Sequence, residues 1–184
     1  MPWLRKTQPT DPLAVSMTGV KLGDRVLVIG TSDPVLIAQL AAKTGLTGTA
    51  CAVDSDESRV QHARAAVERE GVLVEFTHAP LSMLPYDGDS FDIVVIRDVL
   101  PKLAPDERVH CLRETRRVLR HGGRVLAIEP QPRGGIASLI SRRTMDEHYV
   151  KTGGATRALE AERFVAVRVL AERDGLIFAE GAKR

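Results

Sequence analysis

Gly30 closes an apolar run, Arg25-Val-Leu-Val-Ile-Gly30, and Thr31, Ser32, Asp33 and Pro34 follow it. Glycine at such a turn admits a positive φ and lets a ligand approach the main chain closely. Asp54 ends a second apolar run, 24 residues after Gly30. A carboxylate at that spacing can accept hydrogen bonds from both hydroxyls of a ribose. It can equally cap the helix that follows, a role that Ser55 and Asp56 also suit. The turn and the acid together read as two halves of a nucleoside site. Asp33 narrows the choice of nucleoside. Pyrophosphate needs free N–H groups at a helix N-terminus. The Asp33 side chain would take those donors and place negative charge where phosphate must sit, so a phosphate-free, positively charged ligand fits better.

Other chemistry-bearing residues carry weaker signals. Arg97 and Asp98 follow a fourth apolar run and are the nearby candidates to touch a substrate, or else a surface ion pair. Arg142, Arg143, His148 and Tyr149 could form an anion or acceptor site, but a solvated helix face explains them as well. His62, His110, His121 and His148 share no ligand spacing, so no metal is expected. Arg113, Arg116, Arg117 and Arg120 follow Asp106-Glu107 on one expected helix, an order that suits the helix dipole without any ligand. Nothing in the sequence assigns a general base.

The elements that must position these residues alternate. Arg25–Gly30 reads as a strand buried on both faces. Pro34–Thr44 reads as a helix, with Asp33 as N-cap and Pro34 at the first helical position. Thr49–Val53 is a strand, Glu57–Glu70 a helix, Val72–Thr77 a strand and Phe91–Arg97 a strand. Pro105–Arg120 is a helix stopped by His121-Gly-Gly123, and Arg124–Glu129 is the next strand. Phe164–Glu172 and Leu176–Glu180 flank Arg173-Asp-Gly175, an Asp-Gly hairpin signal. This rhythm predicts an α/β, Rossmann-like doubly wound sheet in one domain spanning residues 1–184. Residues 1–20 read as an N-terminal arm. Residues 130–163 read as a short covering segment hinged at Gly134-Gly135 and Gly153-Gly154, with one or two short helices.

Four segments carry a resemblance. They are Gly23-Asp-Arg-Val-Leu-Val-Ile-Gly30, Ala52-Val-Asp-Ser-Asp-Glu-Ser58, Leu84-Pro-Tyr-Asp-Gly-Asp-Ser-Phe-Asp-Ile-Val-Val-Ile96 and Leu112-Arg-Glu-Thr-Arg-Arg-Val-Leu-Arg-His-Gly-Gly-Arg-Val-Leu126. In this order and spacing, with the terminal hairpin, the chain resembles the class I S-adenosylmethionine-dependent methyltransferases of the small-molecule type. The resemblance implies a seven-stranded sheet, mostly parallel, with a C-terminal antiparallel hairpin. It also implies a cleft for S-adenosylmethionine formed by Gly30, Thr31, Ser32, Asp54, Ser55, Leu81, Ser82 and Arg97. The sequence departs from the family at several of its places. Val28 stands for the acidic residue of the first strand, Ser32 and Pro34 for two loop glycines, and Pro80 for the acid that receives the adenine amino group.

Three readings of function follow. The first is methyl transfer from S-adenosylmethionine to an unidentified small-molecule acceptor. The second is a catalytically inactive, methyltransferase-like binding or regulatory protein, motivated by the departures. The third, a nucleic-acid-modifying enzyme, draws on a charge of +2 that is negative up to residue 96 and positive beyond it. It is disfavoured by an aromatic content of 4%, too low for stacking platforms, and by the absence of a base-flipping signature. No apolar run is long enough to cross a bilayer. Cys51 and Cys111 read as buried free thiols of a reducing cytosol, and Met1-Pro-Trp-Leu-Arg-Lys lacks a signal-peptide core, so a cytoplasmic location is expected. Trp3 and Leu4 suggest a homodimer contact.

Overall fold

The computed structural model describes residues 12–131 and 146–184. Trp3, Leu4, Gly134, Gly135, Arg142 and Arg143 lie outside the described residues, and so do the roles suggested for them. Seven strands form one sheet: β1 Arg25–Ile29, β2 Thr49–Asp54, β3 Glu75–His78, β4 Phe91–Arg97, β5 Leu119–Pro130, β6 Val165–Arg173 and β7 Leu176–Ala182. Their spatial order is β3-β2-β1-β4-β5-β7-β6. The first five pair in parallel, and β7 runs antiparallel to both β5 and β6. The order reverses between β1 and β4. In open α/β sheets the crevice beyond the carboxyl ends at such a reversal is where ligands bind.

Alternating side chains split the core into two layers. Val26, Val28, Leu126, Ile128 and Phe178 face α1 (Pro12–Thr18), α2 (Pro34–Thr44) and α3 (Glu57–Glu68). Leu27, Ile29, Val94, Ile96, Val125 and Ala127 face α4 (Pro105–Val118), α5 (Glu147–Lys151) and α6 (Gly154–Ala161). Both faces of the central strands are therefore covered, which is why Val26–Ile29 of β1 and Ile93–Ile96 of β4 are continuous apolar runs.

Local chemistry sets several boundaries where the sequence puts them. The Asp33 carboxylate accepts from the Leu36 N–H at 3.1 Å, and Pro34 opens α2. Asp174 and Gly175 both have positive φ, 54° and 77°, as the two-residue hairpin turn between β6 and β7 requires. Several boundaries move. Strand β3 starts at Glu75 rather than Val72, where its ladder with β2 begins with Glu75 opposite Cys51. Helix α4 ends at Val118, since Leu119 is already extended and pairs with Phe91. His121-Gly-Gly123 is then a bulge inside β5, where the register jumps from Leu119 opposite Phe91 to Arg124 opposite Ile93. Residues 12–18, within the expected arm, form α1, whose Ala14 and Thr18 are buried. No helix among the described residues is long and apolar enough to cross a membrane.

Candidate functional site

The Gly30 turn sits at the carboxyl end of β1 and is filled from both sides. Its φ is +93°, and its N–H donates to the Val53 carbonyl at 2.9 Å. A Cβ at Gly30 would lie 2.5 Å from the Arg97 carbonyl oxygen and 2.5 Å from Val99 Cγ2. Glycine is required here by packing as well as by φ.

Asp54 holds this turn against β2. It is 2% exposed. Its Oδ2 accepts from the Thr31 N–H at 2.9 Å and the Thr31 hydroxyl at 3.1 Å. Its Oδ1 accepts from the Asp56 N–H at 3.0 Å and from Arg59 Nη2 at 2.8 Å. An ionised carboxylate has about four acceptor positions, so all are occupied. The cap of α3 falls to Asp56, which accepts from the Ser58 and Arg59 N–H groups. A ribose hydroxyl can reach Asp54 only by displacing a present donor, and Arg59, whose side chain is 46% exposed, is the side-chain donor nearest to solvent.

Across the turn, Asp33 Oδ2 meets Arg97 Nε at 3.2 Å, joining the N-terminus of α2 to the end of β4. Gly30, Thr31, Asp54 and Arg97 thus come together at the ends of β1, β2 and β4. Ser32 and Ser55 are exposed beside them. Leu81 is buried in the core layer that also holds Leu84, while Ser82 is exposed. The turn after β3 is tied to the same site, because the Ala79 N–H donates to the Asp54 carbonyl at 3.1 Å.

A second polar group lies one strand further along. Asp98 has φ +57°, a conformation that non-glycine residues adopt rarely and often at functional sites. Its Oδ2 pairs with Lys102 Nζ at 2.6 Å, and its Oδ1 is buried without a partner among the described residues. Glu129, near the end of β5, is 7% exposed. The Tyr149 hydroxyl donates to Glu129 Oε1 at 2.6 Å, and the Ala155 N–H at the start of α6 also donates to its carboxylate. Burial still prevails and pushes the Glu129 carboxyl up to about 7. Arg108 stacks over the Tyr149 ring, 4.0 Å from its centroid. The same guanidinium donates to the Leu100 and Leu103 carbonyls and to Asp146 Oδ2 at 2.9 Å.

This cluster corrects one expectation and adds to the rest. Tyr149 belongs to the core at 4% exposure rather than to a solvated face, because α5 packs its ring between Arg108 and Glu129. His148 beside it is exposed. Glu129 was signalled only by its place, an acid closing an apolar strand as Asp54 does in β2. Arg108 carried no signal beyond helical spacing.

The remaining candidates resolve into structure. His62, His110 and His121 are exposed on separate elements. Arg117 pairs with Glu114 and donates to the Leu84 and Tyr86 carbonyls, Arg113 pairs with Glu162, and Arg120 pairs with Asp92. Much of the basic half is thus neutralised within the fold. Cys51 and Cys111 are buried, and burial raises both thiols to about 12. A thiol held protonated is a poor nucleophile.

A family model described as methyltransferase domain matches residues 26–123, which include the Gly30 turn, Asp54, Arg97 and Asp98. The ubiquinone/menaquinone biosynthesis C-methyltransferase of Idiomarina loihiensis is 31% identical over 119 residues, covering 62% of this chain and 46% of that protein. The chain therefore spans less than half the length of that relative. A solved S-adenosylmethionine-dependent methyltransferase from Aquifex aeolicus superposes with a TM-score of 0.73 at 21% identity, over 92% of this chain and 87% of that one. A cyclase superposes with a TM-score of 0.66 at 16% identity, over 93% and 78%. At such identities the likeness shows the fold alone.

Proposed function

Because the chain belongs to the class I S-adenosylmethionine-dependent methyltransferase family, we propose that it transfers a methyl group to a small-molecule acceptor. The observation that carries this reading is the set Gly30, Thr31, Asp54 and Arg97, drawn together at the strand-order reversal. The donor set fits the family's cofactor. Asp33, Asp54 and Asp98 stand at the crevice, each held by a cation of the chain (Arg97, Arg59 and Lys102), and a nucleoside carrying ammonium and sulfonium charges suits such acceptors better than a phosphate does.

When bound, S-adenosylmethionine supplies an electrophilic methyl group on a sulfonium. The residues of the chain bind, orient and exclude water. Asp54 would take the ribose hydroxyls once Arg59 moves aside. Ser32 and Ser55 would offer polar contacts at the rim, and Leu81 and Ser82 would line the adenine side. Arg97 would hold the turn closed through Asp33. Such transfer depends mainly on positioning, so the lack of an assigned base at the turn is no obstacle. The acceptor is not inherited from the ubiquinone/menaquinone biosynthesis C-methyltransferase, since the alignment covers 46% of that protein.

One observation favours a second reading, an inactive binding protein that keeps the fold. Asp54 has no free acceptor position, and the Asp33–Arg97 pair spans the turn. Calorimetry with S-adenosylhomocysteine and S-adenosylmethionine decides between the two. On the methyl-transfer reading both bind, and at 100 times Kd the native state gains about 2.7 kcal/mol, visible as a higher Tm. No heat and no thermal shift at millimolar ligand refute it in favour of the second.

A further inference from the structure

A cavity of about 230 Å³ opens beside Glu129, between the β5-β7-β6 edge of the sheet and the α5–α6 connection. Val150, Ala155, Val169, Ile177 and Ala179 give it apolar walls. Among the described residues its charged lining is Glu129 and Glu172, with no basic side chain. Glu129 is the buried one, and Glu172 is exposed at the sheet edge. A small apolar chamber with two carboxylates selects for one kind of guest. We propose that this cavity binds a small organic cation, an alkyl or aryl amine with an apolar body, whose ammonium meets the Glu129 carboxylate.

Three observations support the assignment. First, the Glu129 carboxylate keeps acceptor capacity. Tyr149 and Ala155 supply two donors, and about two of its four acceptor positions remain. Second, no cation among the described residues forms an ion pair with it. The Arg108 guanidinium is turned toward Asp146 and the Leu100 and Leu103 carbonyls. A buried carboxylate without a paired cation is destabilising, and a neutral amide would serve the Tyr149 and Ala155 contacts without that burden. Third, Asp98 after β4 acts on Glu129 as a like charge, and although its Oδ2 pairs with Lys102 its buried Oδ1 has no partner among the described residues.

The cavity is also close to the cofactor crevice. Arg97 at the end of β4 pairs with Ile128 of β5, immediately before Glu129. Neighbouring strands lie about 4.8 Å apart, so a guest at Glu129 is only two strands from the Gly30 turn. Identifying the amine as the methyl acceptor rests on the methyl-transfer reading. The cation preference of the cavity does not.

The groups facing Glu129 fix the expected proton balance. They are Tyr149 of α5, Arg108 of α4, Asp98 after β4 and Glu172 of β6. With its carboxyl raised to about 7, Glu129 is about half protonated at pH 7. An ammonium guest stabilises the ionised form and expels that proton.

The test is calorimetry with benzylamine, benzyl alcohol and benzoate, three probes of one shape and different charge. Each is titrated at pH 7 in two buffers of different ionisation enthalpy. Benzylamine is expected to bind at least tenfold tighter than benzyl alcohol, with benzoate undetected and up to about half a proton released per amine bound. Glu129→Gln is expected to abolish both the preference and the proton release. Glu172→Gln, at an exposed position, is expected to weaken benzylamine a few-fold with the fold intact, which keeps the proposal testable if the first variant is unstable. Equal binding of amine and alcohol, tighter binding of benzoate, or no amine binding overturns the proposal. S-adenosylhomocysteine is titrated in parallel. If it binds while the amine preference is absent, the cavity assignment falls and methyl transfer stands. If the amine preference is present while S-adenosylhomocysteine does not bind, the cation site stands and its role as acceptor site falls.

Discussion

Replacing Glu129 by Gln should change the pH dependence of stability in a direction set by burial. The carboxyl is raised from 4.5 to about 7, chiefly by desolvation, against the opposing hydrogen bond from Tyr149. A raised carboxyl binds more protons in the native state than in the unfolded chain between those two values. Its contribution to stability is therefore fully present below pH 4.5 and is lost as the pH climbs through 7. The interval corresponds to about 3 kcal/mol. Glutamine keeps an oxygen for the Tyr149 hydroxyl and does not titrate. The stability of Glu129→Gln relative to the parent should accordingly rise by about 3 kcal/mol from pH 4.5 to pH 8. Carboxylates held low by cations, such as Asp92 and Glu114, have the opposite slope, but they are common to both proteins and cancel in the difference. Urea unfolding followed by circular dichroism at a series of pH values measures it. Tyr149→Phe removes the hydrogen bond that lowers the Glu129 carboxyl, so its loss of stability should extend to higher pH. A Glu129→Gln difference that stays flat within about 0.5 kcal/mol across the range refutes the reasoning, because desolvation on this scale must appear as proton linkage.

Gly30→Ala should destabilise the protein by about 2–4 kcal/mol in urea unfolding, since the added methyl overlaps Arg97 and Val99 at a positive φ. Asp54→Ala leaves the buried Thr31 N–H without its acceptor and removes four hydrogen bonds, so it should lower stability by about 3–5 kcal/mol, measured in the same way. Arg59→Gln breaks a pair whose cation is half exposed and should lower stability by less than about 1 kcal/mol. It should also leave S-adenosylhomocysteine affinity unchanged or tighter by calorimetry, because it vacates a position on Asp54; a tenfold loss would contradict the displacement of Arg59.

What could be read from the sequence is what short-range chemistry decides. Asp33 and Pro34 fix the start of α2 through contacts within one turn. Asp174 and Gly175 fix the β6–β7 hairpin by their own backbone preferences. The start of β3 and the bulge in β5 depend on where each pairs with its partner strand, which no local window contains. The same distinction separates the two polar clusters. Gly30 and Asp54 announce themselves as ends of apolar runs at a nucleoside-binding spacing. Glu129 also ends an apolar run, but its importance arises from burial by α5 and α6, which return from later in the chain to cover it.

The missing glycines of the β1–α2 turn can then be weighed by what holds that turn. Its shape rests on side chains: Asp54 grips the Thr31 N–H and hydroxyl, and Asp33 binds both the α2 N-terminus and Arg97. Gly30 alone needs the freedom of glycine, because only there would a Cβ strike the backbone of β4. Ser32 points to solvent, and Pro34 occupies a helical position where its lost N–H is not needed. Neither substitution strains the fold. Their effect falls on the ligand, through a side chain at the rim and one fewer backbone donor. On the methyl-transfer reading proposed above, the nucleoside is then recognised through carboxylates rather than bare amides. That reading places the burden of cofactor binding on Asp54, and on how readily Arg59 releases it.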